Sequence, residues 1–187
     1  MDDKAAVIVL REDVRLEDVL AYAHADGWTL CEETPRAHLV LVSRRWTALI
    51  GEEIEYVADH IGGTHSLRVT GSETVARRLR EHFAHHTVDE LLAVVLAEQP
   101  DPVACVRVAS KLAACRPPVA QPRHLAALGR LLSHPVTAVR RAGIRSAYTC
   151  SWPQLRALVK RRRAKEKHLG PQLEHLERYL IERDASE

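Results

Sequence analysis

The feature that most constrains this chain is an internal self-match at a period of 33 residues. Pro102-Val103-Ala104-Cys105-Val106-Arg107-Val108-Ala109 aligns with Pro135-Val136-Thr137-Ala138-Val139-Arg140-Arg141-Ala142. Pro, Val, Val, Arg and Ala coincide at five of eight positions. A period in this range marks a fold in which one small unit cannot bury its own apolar side and stacks on a copy of itself.

Each copy reads as a helix. Pro102 and Pro135 suit a first helical position, where the missing N–H is not needed, and Asp101 can cap the first copy. Val103, Val106, Ala109 and Ala113 form one apolar stripe; Val136, Val139, Ala142 and Ser146 form the matching one. Small residues at Ala109, Ser110, Ala142 and Gly143 allow neighbouring helices to approach closely.

A further helix precedes each copy. Thr87-Val88-Asp89-Glu90 has the pattern of a capping box and leads into Leu91, Leu92, Val95 and Leu96. After the Pro117-Pro118 linker, Leu125, Leu128, Leu131 and Leu132 recur at helical spacing. Ser151-Trp152-Pro153-Gln154 gives a second capping box before Leu155, Leu158 and Val159. Gly170-Pro171 breaks that helix, and Leu173, Leu176, Leu180 and Ile181 make a last amphipathic one. The spacing predicts six helices in three hairpins, over 87–115, 122–149 and 151–184. An irregular helical bundle is the alternative reading.

The stretch Leu128-Gly129-Arg130-Leu131-Leu132-Ser133-His134-Pro135, followed by Val139-Arg140-Arg141-Ala142-Gly143-Ile144, resembles the HEAT-repeat family. That family has a leucine-rich first helix, a tight turn and Val-Arg-x-Ala on the second helix. The third hairpin departs from it, with His175 or Leu176 where Val-Arg would stand. His134 stands where the family often has an acid, which leaves Asp101 to contact Arg107. The resemblance implies a binding surface on the second helices. Beside their stripes stand Arg107, Lys111, Arg141, Arg145 and Arg178, expected to form a basic strip for an acidic protein partner; solvated helix flanks are the alternative.

Lys160, Arg161, Arg162, Arg163, Lys165 and Lys167 form the densest cationic run. Such a run can hold nucleic acid electrostatically, and it also suits a helix C-terminus. Duplex DNA or RNA binding through the basic face and this run is the second functional reading.

Residues 1–86 differ in pattern and charge. They carry 15 acidic and 10 basic side chains, whereas residues 87–187 carry 10 and 17. Strands are expected at Ala5–Leu10, Trp28–Cys31, His38–Val42, Trp46–Ile50, Ile54–Ala58 and Leu67–Val69, the last being the final strand. A hairpin is expected at Gly51-Glu52. Helices are expected from Val14 to Ala23, stopped by Gly27, and from Ser72 to about His86, with Val75, Leu79 and Phe83 on one face. The fold class is therefore α+β: a small α+β domain with a mostly antiparallel sheet over 1–86, then an all-α stack over 87–187. Trp28 and Trp46 are expected in the first core, and Trp152 between repeats.

Other constellations are thinner. His82, His85 and His86 cluster at the end of the expected helix, and His82 and His86, at i and i+4, could share a metal, though no further ligand is specified. Asp59, His60 and His65 could form a catalytic acid–base group, though no nucleophile accompanies them. The expected functional class is a non-catalytic adaptor or inhibitor with no metal or cofactor. Cys31, Cys105, Cys115 and Cys150 form no C-x-x-C pair and are expected as small buried hydrophobes. No apolar run reaches membrane-spanning length, and Met1-Asp2-Asp3-Lys4 does not begin a secretory signal, so no membrane partner and a cytoplasmic location are expected.

Overall fold

A computed structural model describes residues 5–34, 41–48, 51–60, 62–166 and 168–185. The chain divides into two compact units, Met1–Thr87 and Val88–Glu187.

In the first unit, β1 (Ala6–Leu10) leads into α1 (Leu16–Ala25), followed by β2 (Thr29–Glu33), β3 (Leu41–Thr47), β4 (Glu53–Asp59), β5 (Thr64–Thr70), α2 (Glu73–His82) and β6 (His85–His86). The six strands form one sheet in the order β2-β3-β4-β5-β1-β6, and every neighbouring pair is antiparallel. Alternation along the strands places Ile8, Leu10, Trp46, Ile54, Tyr56, Leu67 and Val69 in one core with Val19 and Ala23 of α1 and Val75, Ala76 and Leu79 of α2. Trp28 joins this core as expected. Gly27, at φ 71°, ends α1 in a conformation that an L side chain resists. Ser72 caps α2 by accepting the Val75 N–H at 3.3 Å.

Four expectations are corrected here. A single strand, Leu41–Thr47, replaces the two expected at His38–Val42 and Trp46–Ile50; residues 35–40 and 49–50 lie outside the described residues. It pairs with β4 from Leu41↔Asp59 to Thr47↔Glu53 around Gly51. Helix α2 stops at His82 because Phe83 takes an extended backbone and buries its ring. The chain then pairs His85 and His86 with Leu10 and Val9, so Leu67–Val69 is not in the final strand. Cys31 is exposed on β2, with its sulfur 3.0 Å from Thr47 Oγ1, rather than buried.

Among the described residues the second unit has six helices: α3 (Val88–Leu96), α4 (Pro102–Ala114), α5 (Pro122–Ser133), α6 (Thr137–Cys150), α7 (Leu155–Arg163) and α8 (Gly170–Asp184). They pack as α3/α4, α5/α6 and α7/α8 pairs. First helices also touch along α3–α5–α7, and second helices along α4–α6–α8. One continuous core results, running from Leu91 to Leu180.

Asp101 caps α4 through the Val103 and Ala104 N–H groups. Pro135 does not play the part of Pro102, since α6 begins two residues later, at Thr137. The apolar stripes also sit deeper than the sequence match suggests. Val103 and Val136 are exposed, at 57 % and 40 %, because both stand at helix starts; the buried row of α4 is Cys105, Val108, Ala109 and Leu112. Ile181 is likewise 43 % exposed. Ser151 is not a helix N-cap: it ends α6 at φ 48°, and α7 begins at Leu155. Trp152 is buried, with its indole N–H on the Pro117 carbonyl at 3.3 Å, which ties the turn after α6 to the linker between α4 and α5.

Gly143 sets the approach of α6 to α5. A Cβ there would lie 2.9 Å from Leu131 Cβ and 3.0 Å from both the Leu131 carbonyl carbon and the Leu132 nitrogen. Backbone atoms cannot yield as a side-chain tip can. Alanine gains about 1 kcal/mol in helix propensity, but overpacking of this kind costs about 1–3 kcal/mol. We expect Gly143→Ala to lower stability by up to about 2 kcal/mol, read from urea unfolding midpoints; a midpoint above wild type would contradict this packing.

Candidate functional site

The buried positions of α6 include Val139, Ala142, Gly143, Ser146, Ala147 and Cys150. That pattern leaves Arg141, Arg145 and Tyr148 in a neighbouring row, four and three residues apart. On α8, burial of Leu173, Leu176 and Leu180 leaves Gln172, His175 and Tyr179 at matching spacing. The two rows enclose an open groove of about 620 Å³, lined by Arg141, Ile144, Arg145, Tyr148, Pro171, Gln172 and His175.

Its aromatic wall is connected. Tyr148 Oη lies 2.5 Å from His175 Nδ1, and the Tyr148 and Tyr179 rings are 5.2 Å apart between centroids. Burial raises the Tyr148 pKa, opposed by the nearby Arg178 charge and reinforced by Tyr179. Its hydroxyl therefore keeps its proton at neutral pH and can donate. Arg145 reaches across to α4, donating to Ser110 Oγ at 3.2 Å, while Arg141 and Arg178 are exposed.

The expected strip is thus only partly assembled. Arg141 and Arg145 line the groove, and Arg178 stands close to its tyrosine. Arg107 is exposed on α4 but outside the groove lining. Lys111 is a correction: it is only 4 % exposed, because α3, α5 and α6 together cover much of α4, so it cannot meet a partner at the surface.

The cationic run divides in the same way. Glu166 is the reason. Its side chain is 2 % exposed, forms an ion pair with Arg140 across 2.8 Å, and accepts Arg140 Nη2 at 3.3 Å, Arg162 Nη2 at 2.7 Å and the His168 N–H at 3.1 Å. Burial alone would raise the carboxyl pKa, but the His168 N–H and the two guanidinium groups reverse this and hold it at about 2. Arg140 also donates to the carbonyls of His134 and Pro135, at 2.9 and 2.6 Å. One side chain of the repeated motif therefore ties its own turn to the turn of the next hairpin. Arg163 pairs with Glu177 at 3.0 Å. Lys160, Arg161 and Lys165 remain exposed, and Lys167 lies outside the described residues.

The histidine constellations also change. His85 and His86 stand on β6, with His85 Nδ1 3.0 Å from the Phe83 carbonyl and His86 Nε2 3.4 Å from Glu12. His82 packs its ring 4.4 Å from Tyr22. The helical i, i+4 relation between His82 and His86 therefore does not exist. Among the described residues no group of three His, Cys, Asp or Glu side chains could hold a metal. Asp59 accepts the Gly62 N–H at 2.8 Å as a turn residue, and His65 Nδ1 lies 2.7 Å from Tyr56 Oη. His60 is exposed in the turn after β4.

Sequence reasoning missed Tyr148, His175 and Glu166. Tyr148 was detectable as the continuation of the Arg141–Arg145 row. Glu166 was detectable as a single acid inside a run of cations. Among the described residues no helix is long and apolar enough to cross a membrane. No protein-family model, no curated protein and no solved structure matches the chain.

Removing one partner of a buried ion pair strands the other charge and costs about 3–5 kcal/mol. We expect Glu166→Gln to lose that much at neutral pH. Because folding depresses this carboxyl from 4.5 to about 2, its contribution is complete above the unfolded value and is lost as pH falls from 4.5 toward 2. Urea midpoints measured across that window should fall more steeply with acid for wild type than for Glu166→Gln; parallel curves would count against the assignment.

Proposed function

We propose that the helical unit is a non-catalytic interaction module, a short HEAT-like stack that holds an acidic protein segment in the α6/α8 groove. The observation that carries the reading is the groove's chemistry: guanidinium groups of Arg141 and Arg145 stand beside an apolar floor made by Ile144, Pro171 and the Tyr148 ring. Carboxylates suit the guanidinium groups, which donate in a planar fork, and an aliphatic or aromatic side chain suits the floor. Stacking of equivalent helices in two rows supports the HEAT-like reading. An adaptor or inhibitor working in the cytoplasm fits this chemistry.

The test uses the full chain as bait in its native extract, with nuclease treatment, followed by direct titration of the captured protein. The partner should survive nuclease, and affinity should fall as salt rises. Arg141→Glu and Arg178→Glu should each weaken binding by about tenfold, since a reversed charge meets a like charge. Loss of all bound material on nuclease treatment, or full affinity in the double variant, would overturn the reading.

A further inference from the structure

Two glycines stand inside helices of the stack, and only one is required by packing. Gly143 has no room for a Cβ. Gly129, in the middle of α5, has room: a Cβ there would meet only the Leu158 methyl carbons, at 3.7 and 3.9 Å, which is ordinary van der Waals contact. A helix-interior glycine weakens the helix relative to alanine. At Gly129 nothing in the helix packing returns that cost.

What Gly129 does is floor a cleft. Between α5 and α7 lies a space of about 500 Å³, whose lining includes Gly129, Arg130, Ser133, Arg161, Arg162 and Lys165. No carboxylate and no aromatic ring is among the lining residues. Arg162 is neutralised from behind by Glu166. The other cations are not. Arg130 uses one Nη on the Ala97 carbonyl, and Arg161 uses Nε on the Ala157 carbonyl at 3.3 Å. Their remaining N–H groups, the Lys165 ammonium and the Ser133 hydroxyl have no hydrogen-bond partner among the described residues.

We propose that this cleft is a second site, distinct from the α6/α8 groove, which binds the diphosphate group of a small ligand. Three uncompensated cations and a hydroxyl converge on a concavity that a side chain at Gly129 would fill. A diphosphate group offers oxygen acceptors on several sides and more than one negative charge, which matches donors arriving from two helices. Without an aromatic ring on the wall, nothing stacks a base, so the phosphate groups and not a base are read. The same lack argues against single-stranded nucleic acid.

Calorimetric titration of the full chain with sodium pyrophosphate tests the site. Saturable binding is expected, weakened by about tenfold in each of Arg161→Gln and Lys165→Ala as one charge-assisted hydrogen bond is lost. Gly129→Met should abolish binding while its thermal melt stays at or above that of wild type. A nucleoside diphosphate should bind no more tightly than pyrophosphate, because nothing on the wall stacks a base; one that binds about tenfold more tightly would overturn the reading that the phosphate groups alone are recognised. Absence of saturable heat with wild type, or unchanged affinity in the Arg161→Gln, Lys165→Ala double variant, overturns it. A short DNA duplex that binds wild type and Gly129→Met equally, with pyrophosphate silent, also overturns it and assigns the cations to a nucleic-acid surface.

Discussion

The helical unit depends on how closely its neighbours approach α6. This helix touches α4, α5 and α8, so three sides of it are occupied at once. Ala142, Gly143, Ser146 and Ala147 make that possible. Gly143 admits α5 by carrying no side chain. Ser146 admits α4 by placing its buried hydroxyl on the Ala109 carbonyl at 2.8 Å, with a second contact to Ala142 at 3.0 Å. A larger residue at either place would push a neighbour away and open the core that runs through the stack. Once these sides are fixed, the remaining row of α6 has one direction left. Arg141, Arg145 and Tyr148 line the groove because the small residues have settled which way α6 is turned.

The two arginines of the repeated motif then show how far sequence identity carries. Arg107 and Arg140 are equivalent by the 33-residue match. Arg140 is buried against Glu166, while Arg107 is exposed. The difference lies in the following turn. Glu166 stands 33 residues after Ser133, so where the third hairpin supplies a carboxylate, the second supplies Ser133 and His134. An arginine can be buried only with its charge met, and the motif alone does not say whether the next turn meets it.

That contrast explains what was legible in the sequence. Helix pairing was legible because caps, prolines and a 3.6-residue period act within a few residues: Asp101, Ser72 and Gly27 all do what local chemistry predicts. The α+β class and the antiparallel sheet were legible from short strand-length runs such as Ile54–Ala58 and from the hairpin turn at Gly51-Glu52. Features set by distant neighbours were not. Burial of Lys111 depends on three other helices. The end of α2 depends on Phe83 finding the sheet core and on β1 offering an edge to His85 and His86. At the candidate groove the arginines were visible, but the partnership of Tyr148 with His175 joins helices that the repeat match does not align.

Net charge is consequently a poor guide to what a ligand meets. The second unit has 17 basic and 10 acidic side chains, yet Arg140, Arg162 and Arg163 are committed to Glu166 and Glu177. The pairs at Glu166 are shielded from solvent ions, so salt should leave them largely intact while it screens the exposed cations. What remains divides between two faces of different character. The α6/α8 groove sets guanidinium groups beside apolar and aromatic surface, which suits a ligand with both carboxylates and carbon. The α5/α7 cleft presents cations and a hydroxyl over a glycine floor without an aromatic wall, which suits a compact anion. The rows α4–α6–α8 and α3–α5–α7 are separate layers of one stack. A ligand on one face therefore leaves the cations of the other unscreened, and the two surfaces can act independently.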